Sequence, residues 1–334
     1  MENLQILLRE RPRGPLSPAH FETRTIETAP PAPGQVLVRN VLLSLDAANR
    51  AWMQGPTYKD AVNPGAVMHG YAIGEVVASA SDQLRPGDVV AGELGWQTHA
   101  TLPAAALQRC PPHRPLTHLL SVLGIAGKTA YHGLVHVAGV RAGETVVVSA
   151  AAGSVGSLVG QIARIHGGRS VGIAGGPEKC RWVVDELGFD ECIDYKNADV
   201  SAELARLCPK GIDVYFDNVG GPVLQAALFA MKLHGRIACC GAVSQYDTGE
   251  FASPVGIPGL LVVKRIRMEG FIVTDFADRD DVAERDLQAW SGDGRLRVVE
   301  DVIDGLANAP GGLIGLLAGE NRGKRMVRVG EDPS

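Results

Sequence analysis

The chain has 334 residues, 46% of them hydrophobic and 21% charged, and this length predicts two domains of an ordinary globular protein. Its 32 lysines and arginines nearly balance 37 aspartates and glutamates, so no basic surplus is available for nonspecific binding to nucleic acid. The longest apolar runs are too short to span a bilayer and the N-terminus lacks the apolar segment of a signal peptide, which predicts a cytoplasmic protein without membrane attachment.

The first third of the chain carries many short strand signals. The segments PAPGQVLVRNVLLSLD, GYAIGEVVASA and LRPGDVVAGELGWQTHATL combine glycine or proline turns with runs rich in valine. Short strands separated by such turns are typical of an irregular β-barrel or sandwich.

The pattern changes near residue 120, where SVLGIAGKTAYHGLVHVAGV has the length and spacing of a helix. Apolar strands such as ETVVV, RSVGIA and GIDVYFDNVG then alternate with helices such as PEKCRWVVDELG and PVLQAALFAMKLHG, which predicts a doubly wound parallel sheet. Gly167, Gly188 and Gly235 follow predicted helices and are expected in the left-handed conformation. The last segment ends in a strand that could rejoin the N-terminal β domain.

The stretch SAAAGSVGS at residues 149–157 lies between the strand at 146–148 and a helix predicted from Leu158. Small residues in this context permit a tight turn and a close approach of the backbone to a pyrophosphate, which the helix N-terminus also attracts. The residues predicted to bind a dinucleotide here are Ala150, Gly153, Ser154, Val155 and Gly156. A purely structural turn is the alternative.

The end of the next strand indicates which dinucleotide is bound. An NAD site usually places an acidic residue there, whereas this strand ends in Gly175, Gly176 and Pro177. Lys179 follows in the first turn of the next helix, where amides and ammonium together favour an anion. The sequence therefore predicts NADPH, with a surface role for Lys179 as the alternative.

These segments, together with LSLDAANRAWM, GKTAYHGL, FDNVGG, CGAVSQY and GENRGKRMVRV, resemble the medium-chain dehydrogenase/reductase superfamily over essentially the whole chain. Within it, the sequence is most similar to the zinc-independent alkenal double-bond reductases, the group that contains the prostaglandin and leukotriene B4 reductases. The resemblance implies a GroES-like β-barrel domain at 1–124 and 300–334 around a Rossmann doubly wound parallel-sheet domain at 125–299, with NADPH as hydride donor.

The resemblance also implies roles for individual residues. Lys179 and Tyr195 match positions that hold the 2′-phosphate of NADPH. Tyr246 matches a tyrosine close to cofactor and substrate, and Tyr58 matches an aromatic residue of the substrate pocket. The other positions implied to line the cofactor are Gly175, Asn218, Cys240, Gly241 and Asn321.

Metal ligands are sparse in the sequence. The six cysteines form no CxxC pair and none precedes Cys110, so we expect reduced thiols and no zinc site. The segment VMHGYAIGEV offers only His69, which is expected to be a pocket or structural residue. His132 and His136 are four residues apart without the glutamate of a metalloprotease helix, and we expect them on a partly exposed face.

Without a metal, an activated alkene is an easier hydride acceptor than an isolated carbonyl, because charge delocalises onto the distant carbonyl oxygen. Tyr246 is the candidate catalytic donor near that oxygen, with packing against the nicotinamide as the alternative. Tyr58 is the candidate substrate contact, or else an exposed loop tyrosine. Lys128 could meet an acidic substrate or the enolate oxygen, or else be a solvated lysine.

The predicted function is thus NADPH-dependent reduction of the C=C bond of a small enal or enone, without zinc. An NADPH:quinone oxidoreductase and a noncatalytic NADPH-binding sensor are the alternatives. The segment GLLVVKRIRMEGFIV is apolar and strand-like near the predicted sheet edge, and such an edge predicts a homodimer.

Overall fold

A computed structural model describes residues 1–246 and 254–333 of the chain. The chain divides into two compact units. The first unit comprises Met1–Leu120, Glu300–Glu320 and Arg325–Ser334, and the second comprises Ser121–Val299 and Asn321–Lys324.

The strands in the described residues are β1 (Glu2–Leu8), β2 (Phe21–Glu27), β3 (Gln35–Ser44), β4 (Tyr71–Ser79), β5 (Val89–Glu93), β6 (His99–Pro103), β7 (Gln108–Arg109), β8 (Thr145–Ser149), β9 (Arg169–Ala174), β10 (Glu191–Asp194), β11 (Ile212–Asp217), β12 (Met231–Cys239), β13 (Arg267–Gly270), β14 (Glu300–Asp304) and β15 (Lys324–Arg328). The α-helices are α1 (Ala48–Gln54), α2 (Ile125–Tyr131), α3 (Gly156–Ile165), α4 (Pro177–Asp185), α5 (Val200–Leu207), α6 (Gly221–Ala230), α7 (Ile257–Lys264), α8 (Asp280–Gly292) and α9 (Ala309–Leu317). None of the helices in the described ranges has the length and hydropathy needed to cross a bilayer.

The first unit is built on antiparallel strands. One sheet has the order β14-β15-β3-β4-β5-β7, with β6 also paired to β3, and β1 pairs with β2 in a second sheet. The C-terminal strand β15 pairs with β3, with Met326 opposite Ser44. The last segment therefore pairs within the antiparallel sheet of the first unit, and most residues of β3 are buried.

The second unit is built on a parallel sheet with the order β10-β9-β8-β11-β12-β13. The central strand β8 reads as a continuous apolar run, and Val146, Val147 and Val148 are all fully buried between the helical layers. The strand order reverses between β8 and β11, and ligands of such sheets bind outside the carboxyl ends of the strands at this point.

The helix predicted through PVLQAALFAMKLHG ends earlier than expected, at Ala230. Strand β12 begins at Met231, and Gly235 lies inside it rather than in a helix cap. Gly167 and Gly188 do adopt the left-handed conformation, but near Gly235 it is His234 that does so, with φ +62°. A Cβ at Gly235 would lie 2.5 Å from the end of the flexible Met231 side chain and 3.1 Å from the Lys232 carbonyl oxygen, so the position is tight, but the Met231 contact alone does not require glycine.

The segment GLLVVKRIRMEGFIV is only partly a strand, which corrects the prediction from the sequence. Its first half is helix α7, with Pro258 in the first turn, and Arg265 ends the helix in the left-handed conformation. Within this segment, Arg267–Gly270 form β13, which is one of the two edge strands of the parallel sheet.

The C-terminal stretch Asn321–Lys324 belongs to the second unit, although the predicted return to the β domain begins at residue 300. The Gly323 amide donates to the Ala152 carbonyl at 2.9 Å, and the Lys324 amide donates to the Val299 carbonyl at 2.9 Å. The first bond holds this stretch against the glycine-containing loop that follows β8, and the second holds it beside the residue that precedes β14.

Candidate active site

The loop between β8 and α3 is tightly turned. Ala150 has φ +51°, a conformation that costs a residue with a Cβ roughly 1 kcal/mol or more. A Cβ at Gly156 would lie 2.2 Å from the Ala150 carbonyl oxygen, so only glycine fits where α3 begins, two residues earlier than predicted. The loop therefore brings the first amides of α3 close to the carboxyl end of β8.

This loop has the properties of an anion site. Among the described residues, the Ser154 hydroxyl is buried without a hydrogen-bond partner. The amides of Ser157 and Leu158 in the first turn of α3 already donate to the carbonyls of Gly153 and Val155, so the helix contributes chiefly the positive end of its dipole. A buried orphan hydroxyl beside a helix N-terminus fits the phosphate oxygens of a dinucleotide.

A second group of predicted residues meets beyond the end of β9. The Lys179 ammonium donates to the Asn321 carbonyl oxygen at 2.6 Å. Tyr195 is 49% exposed, and its hydroxyl lies 3.1 Å from the position that a Cβ of Gly175 would take. The structure therefore brings Gly175 and Tyr195 together in one contact, and Lys179 and Asn321 together in another.

Asp194 is a residue near this point that the sequence reasoning missed. Its carboxylate accepts hydrogen bonds from the Gly176 amide at 2.7 Å, the Lys196 amide at 3.1 Å and the Asn197 side chain at 2.7 Å. Slight burial opposes ionisation, but these hydrogen bonds lower the pKa of Asp194 below its usual value. The carboxylate thus fixes the Gly175–Gly176 turn. The sequence feature that indicates this role is the position of Asp194 at the end of the strand β10.

Asn218 is fixed directly after β11. Its amide donates to the Ser149 hydroxyl and its side-chain nitrogen donates to the Ser149 carbonyl oxygen, both at 2.8 Å. The neighbouring Asp217 carboxylate accepts from the Gly220 amide at 3.0 Å. Asn218 is therefore held where β8 and β11 end side by side.

A pocket of about 650 Å³ lies at the carboxyl ends of β11, β12 and β13. Its lining includes the predicted residues Cys240, Gly241 and Tyr246. Burial raises the pKa of Cys240 to about 12, so this thiol stays protonated and is a wall of the pocket rather than a nucleophile.

Tyr246 places a hydroxyl in this pocket. The Ala242 amide donates to that hydroxyl oxygen at 3.3 Å, and the hydroxyl oxygen lies 3.4 Å from the position of a Cβ on Gly241. Burial raises the pKa of Tyr246 above its usual value. The phenol therefore remains protonated at neutral pH and can donate a hydrogen bond.

Comparison with known proteins places this geometry in a family. A family model described as the N-terminal domain of oxidoreductase matches residues 4–110, and one described as zinc-binding dehydrogenase matches residues 154–289. The chain is 41% identical to the NADPH-dependent curcumin reductase of Escherichia coli K12, over 99% of this chain and 98% of that protein. It is 38% identical to the NADP⁺-dependent 2-alkenal reductase of Nicotiana tabacum, over 99% of both chains.

The structure of CurA from Vibrio vulnificus in complex with NADPH superposes with a TM-score of 0.93 at 38% identity, covering 98% of this chain and 100% of that one. The chain belongs to the zinc-independent alkenal reductase family. The predicted resemblance and the predicted fold class, a GroES-like domain with a Rossmann domain, are both confirmed.

In this alkenal reductase family member, the pocket has further lining residues that the sequence reasoning missed. They are Phe271, Ile272 and Asp275, which follow β13. The sequence predicts that Phe271 and Ile272, in the strand-like segment GLLVVKRIRMEGFIV, belong to a dimer edge, whereas β13 ends at Gly270.

The predicted substrate residue Tyr58 lies in the first unit and is 63% exposed. Its ring makes an edge contact with Trp52 at 6.1 Å, and the Lys59 ammonium lies 4.4 Å from a ring centroid of Trp52.

The buried Nδ1 of His69 has no hydrogen-bond partner among the described residues. Burial, and then the charge of Lys59, lower the pKa of His69, so its ring is neutral at pH 7.

Lys128 is neither solvated nor a candidate for substrate contact, which corrects both expectations for it. Its side chain is 15% exposed and its ammonium pairs with Asp280 at 2.8 Å and Glu284 at 2.6 Å. Burial opposes the charge, but hydrogen bonds to these carboxylates raise the pKa of Lys128 above its usual value. Lys128 therefore ties α2 to α8.

The expectation of a partly exposed histidine pair is wrong for His132, which is fully buried. Its Nδ1 lies 2.9 Å from Nδ1 of His136, and its Nε2 lies 3.0 Å from the Asp280 carboxylate. The pair lies in a π-helical turn, His132–Val137, so the spacing of an α-helix does not apply there. In residues 1–246 and 254–333, no group of three or more His, Cys, Asp or Glu side chains is placed to hold a metal ion.

Replacing Lys128 by alanine is expected to lower the free energy of unfolding by about 2–4 kcal/mol, because it leaves Asp280 without its buried cation. The Tm should fall by roughly 5–10 °C in calorimetry, with kcat/KM per folded molecule unchanged. The control is Arg206→Ala, which removes an exposed pair with Glu203 and should cost less than about 1 kcal/mol. A large loss of kcat/KM with an unchanged Tm would contradict the structural role.

Proposed function

We propose that this protein reduces the C=C bond of α,β-unsaturated aldehydes or ketones with NADPH, by hydride transfer to the β-carbon and without zinc. The observation that carries the proposal is the pocket at the ends of β11–β13, which combines apolar walls with one protonated phenol. The names of its relatives support it, since they are reductases of 2-alkenals and curcumin with NADPH or NADP.

The second unit fits the cofactor. The loop at 150–156 would hold the pyrophosphate, with the orphan Ser154 hydroxyl and the Gly156 amide as donors. Lys179 and Tyr195 would hold the 2′-phosphate. The walls of the cofactor site would be formed by Gly175, Asn218, Cys240, Gly241 and Asn321.

When bound, NADPH supplies a hydride for the β-carbon of the activated alkene. The contribution of the chain is to orient the acceptor and stabilise the charge that develops on its carbonyl oxygen. Tyr246 would donate a hydrogen bond from its hydroxyl to that oxygen, since burial keeps this proton in place. Phe271 and Ile272 would exclude water from the same pocket.

The first unit would supply the substrate-side residues. Tyr58 and Trp52 form an aromatic edge contact, which suits the conjugated, planar part of an enone. We assign Tyr58 as the substrate contact and the first unit as the substrate domain.

The activity is tested by following NADPH oxidation with 2-alkenals, aromatic enones, saturated aldehydes and quinones. We expect turnover of enals and enones, none of saturated aldehydes, and a saturated carbonyl product. Cofactor deuterated at the nicotinamide C4 should deliver deuterium to the β-carbon. Rapid turnover of quinones without turnover of any enal or enone would contradict the proposal. Tight binding of NADPH without turnover of any enal, enone or quinone would also contradict it.

We also propose that the protein is a homodimer. Four strongly exposed apolar side chains of the second unit come from α6, β12 and α7: Phe229 (60%), Leu233 (53%), Val262 (73%) and Val263 (68%). They form one region, because Lys264 at the end of α7 donates to the Phe229 carbonyl at 2.5 Å and to the Met231 carbonyl at 2.8 Å. An exposed apolar patch beside a sheet edge is typical of a surface between subunits.

Val263→Glu is expected to convert the dimer to monomers at micromolar concentration, because a carboxylate would be buried in an apolar interface. Light scattering measures the mass. Lys210→Glu adds the same acid at an exposed position of the same unit and should leave the dimer intact. A monomeric mass for the native protein, or a dimeric mass for Val263→Glu, would refute this surface.

A further inference from the structure

Two of the six cysteines lie with their sulfur atoms in contact. Sγ of Cys180 in α4 and Sγ of Cys192 in β10 are 3.1 Å apart. Both residues are partly exposed and both are free thiols. They come from different elements, 12 positions apart in the sequence, so it is packing of α4 against β10 that brings them together.

The space around the pair is kept open by a glycine. Cys192 lies beside Gly172 of β9 in the sheet, and a Cβ at Gly172 would lie 3.3 Å from the Cys192 sulfur. A disulfide requires an S–S distance of about 2.05 Å, so the two sulfurs need to approach by only about 1 Å.

The two thiols have unequal acidity. The Cys192 thiol donates to the Cys180 sulfur, which lowers the pKa of Cys180 although burial and the Asp194 charge oppose this. The same contact and burial raise the pKa of Cys192. Burial raises the pKa of each remaining cysteine: to about 11 for Cys110, to about 12 for Cys239 and Cys240, and above its usual value for Cys208. Cys180 is thus the nucleophilic thiol of the six.

We propose that Cys180 and Cys192 form a redox-active thiol pair, which a hydroperoxide such as hydrogen peroxide converts to an intrachain disulfide. The modification is separate from alkene reduction and does not depend on the function proposed above.

The step balances with the peroxide as the oxidant. The Cys180 thiolate attacks a peroxide oxygen, an S–O bond forms, the O–O bond breaks, and the leaving hydroxide takes up the proton that Cys180 released. Sulfur of Cys192 then attacks the Cys180 sulfenic acid, the S–S bond forms and the S–O bond breaks. The second hydroxide takes the Cys192 proton, so two thiols lose two electrons and the peroxide becomes two waters.

The test is peptide mass spectrometry on the full chain. Reduced protein is exposed to limited hydrogen peroxide, its remaining thiols are alkylated, and it is digested with trypsin. Lys179 and Arg181 flank Cys180, so the disulfide joins the dipeptide at 180–181 to the peptide at 182–196. This linked peptide should appear about ten times faster than the Cys110 thiol is lost, because Cys110 is mostly protonated. Alkylation of Cys180 and Cys192 at the same rate before and after peroxide would overturn the proposal.

The variant Cys192→Ser should stop at the Cys180 sulfenic acid, which a cyclic 1,3-diketone traps, and should give no linked peptide. Cys110→Ser is the matched control and should form the linked peptide at the native rate. Absence of a trapped sulfenic acid in folded Cys192→Ser, or equal trapping at Cys110 and Cys180, would show that Cys180 is not the attacking thiol.

Discussion

Replacing Lys179 by alanine is expected to raise the KM for NADPH by about ten- to a hundredfold while leaving the KM for NADH nearly unchanged. The two cofactors differ only in the 2′-phosphate, and a hydrogen bond between charged groups contributes about 1.5–3 kcal/mol. The Lys179 ammonium is held by the Asn321 carbonyl at 2.6 Å, so its position is set before the cofactor binds. Steady-state kinetics with each cofactor, at saturating enone, measure the effect.

Lys210→Ala is the matched control, because it removes one exposed lysine from the same unit and should change neither KM. The contact with Asn321 provides the competing explanation, in which Lys179 only positions the Asn321 segment. In that case the KM for NADH would rise as much as the KM for NADPH. An equal rise for both cofactors would therefore refute the assignment of Lys179 to the 2′-phosphate.

The parts of the fold that could be predicted are those with local signals. The parallel sheet is predictable because segments of strand length and of helix length alternate along the chain. Strand β8 is recognisable as a continuous run of valines, the pattern of a strand that is buried on both faces. The loop at 150–156 is also predictable from its small residues. The Ala150 carbonyl approaches Gly156 so closely that a side chain at that position would not fit.

The missed features depend on contacts between residues far apart in sequence. Lys128 is 152 positions from Asp280, and no local pattern indicates that these side chains meet. The pairing of Asp194 with the Gly176 amide likewise needs β10 to lie beside β9. The sequence predicts a strand at α7 because its apolar, β-branched residues are typical of strands. The helix instead begins with Pro258 in its first turn and ends at Arg265 in the left-handed conformation.

Replacing Tyr246 by phenylalanine is expected to lower kcat for an enone by about a hundredfold with little change in the KM for NADPH. The variant keeps the ring and its packing but removes the hydroxyl, and loss of one donor to a developing oxyanion costs about 10²–10³ in kcat. This substitution separates the two interpretations of Tyr246. A donor role predicts the loss of kcat, whereas packing against the nicotinamide predicts nearly native kinetics.

The pH dependence gives a second, independent test of the phenol. Burial raises the pKa of Tyr246, so the hydroxyl stays protonated through neutral pH and kcat should decline only in the alkaline range, as the proton is lost. That alkaline decline should disappear in Tyr246→Phe. Tyr131→Phe is the control: its hydroxyl donates to Asp286 at 2.8 Å in another part of the same unit, and its loss should lower stability but leave kcat and the pH profile native. A native kcat and an unaltered alkaline decline in Tyr246→Phe would remove Tyr246 from the chemistry and leave it as a wall of the pocket.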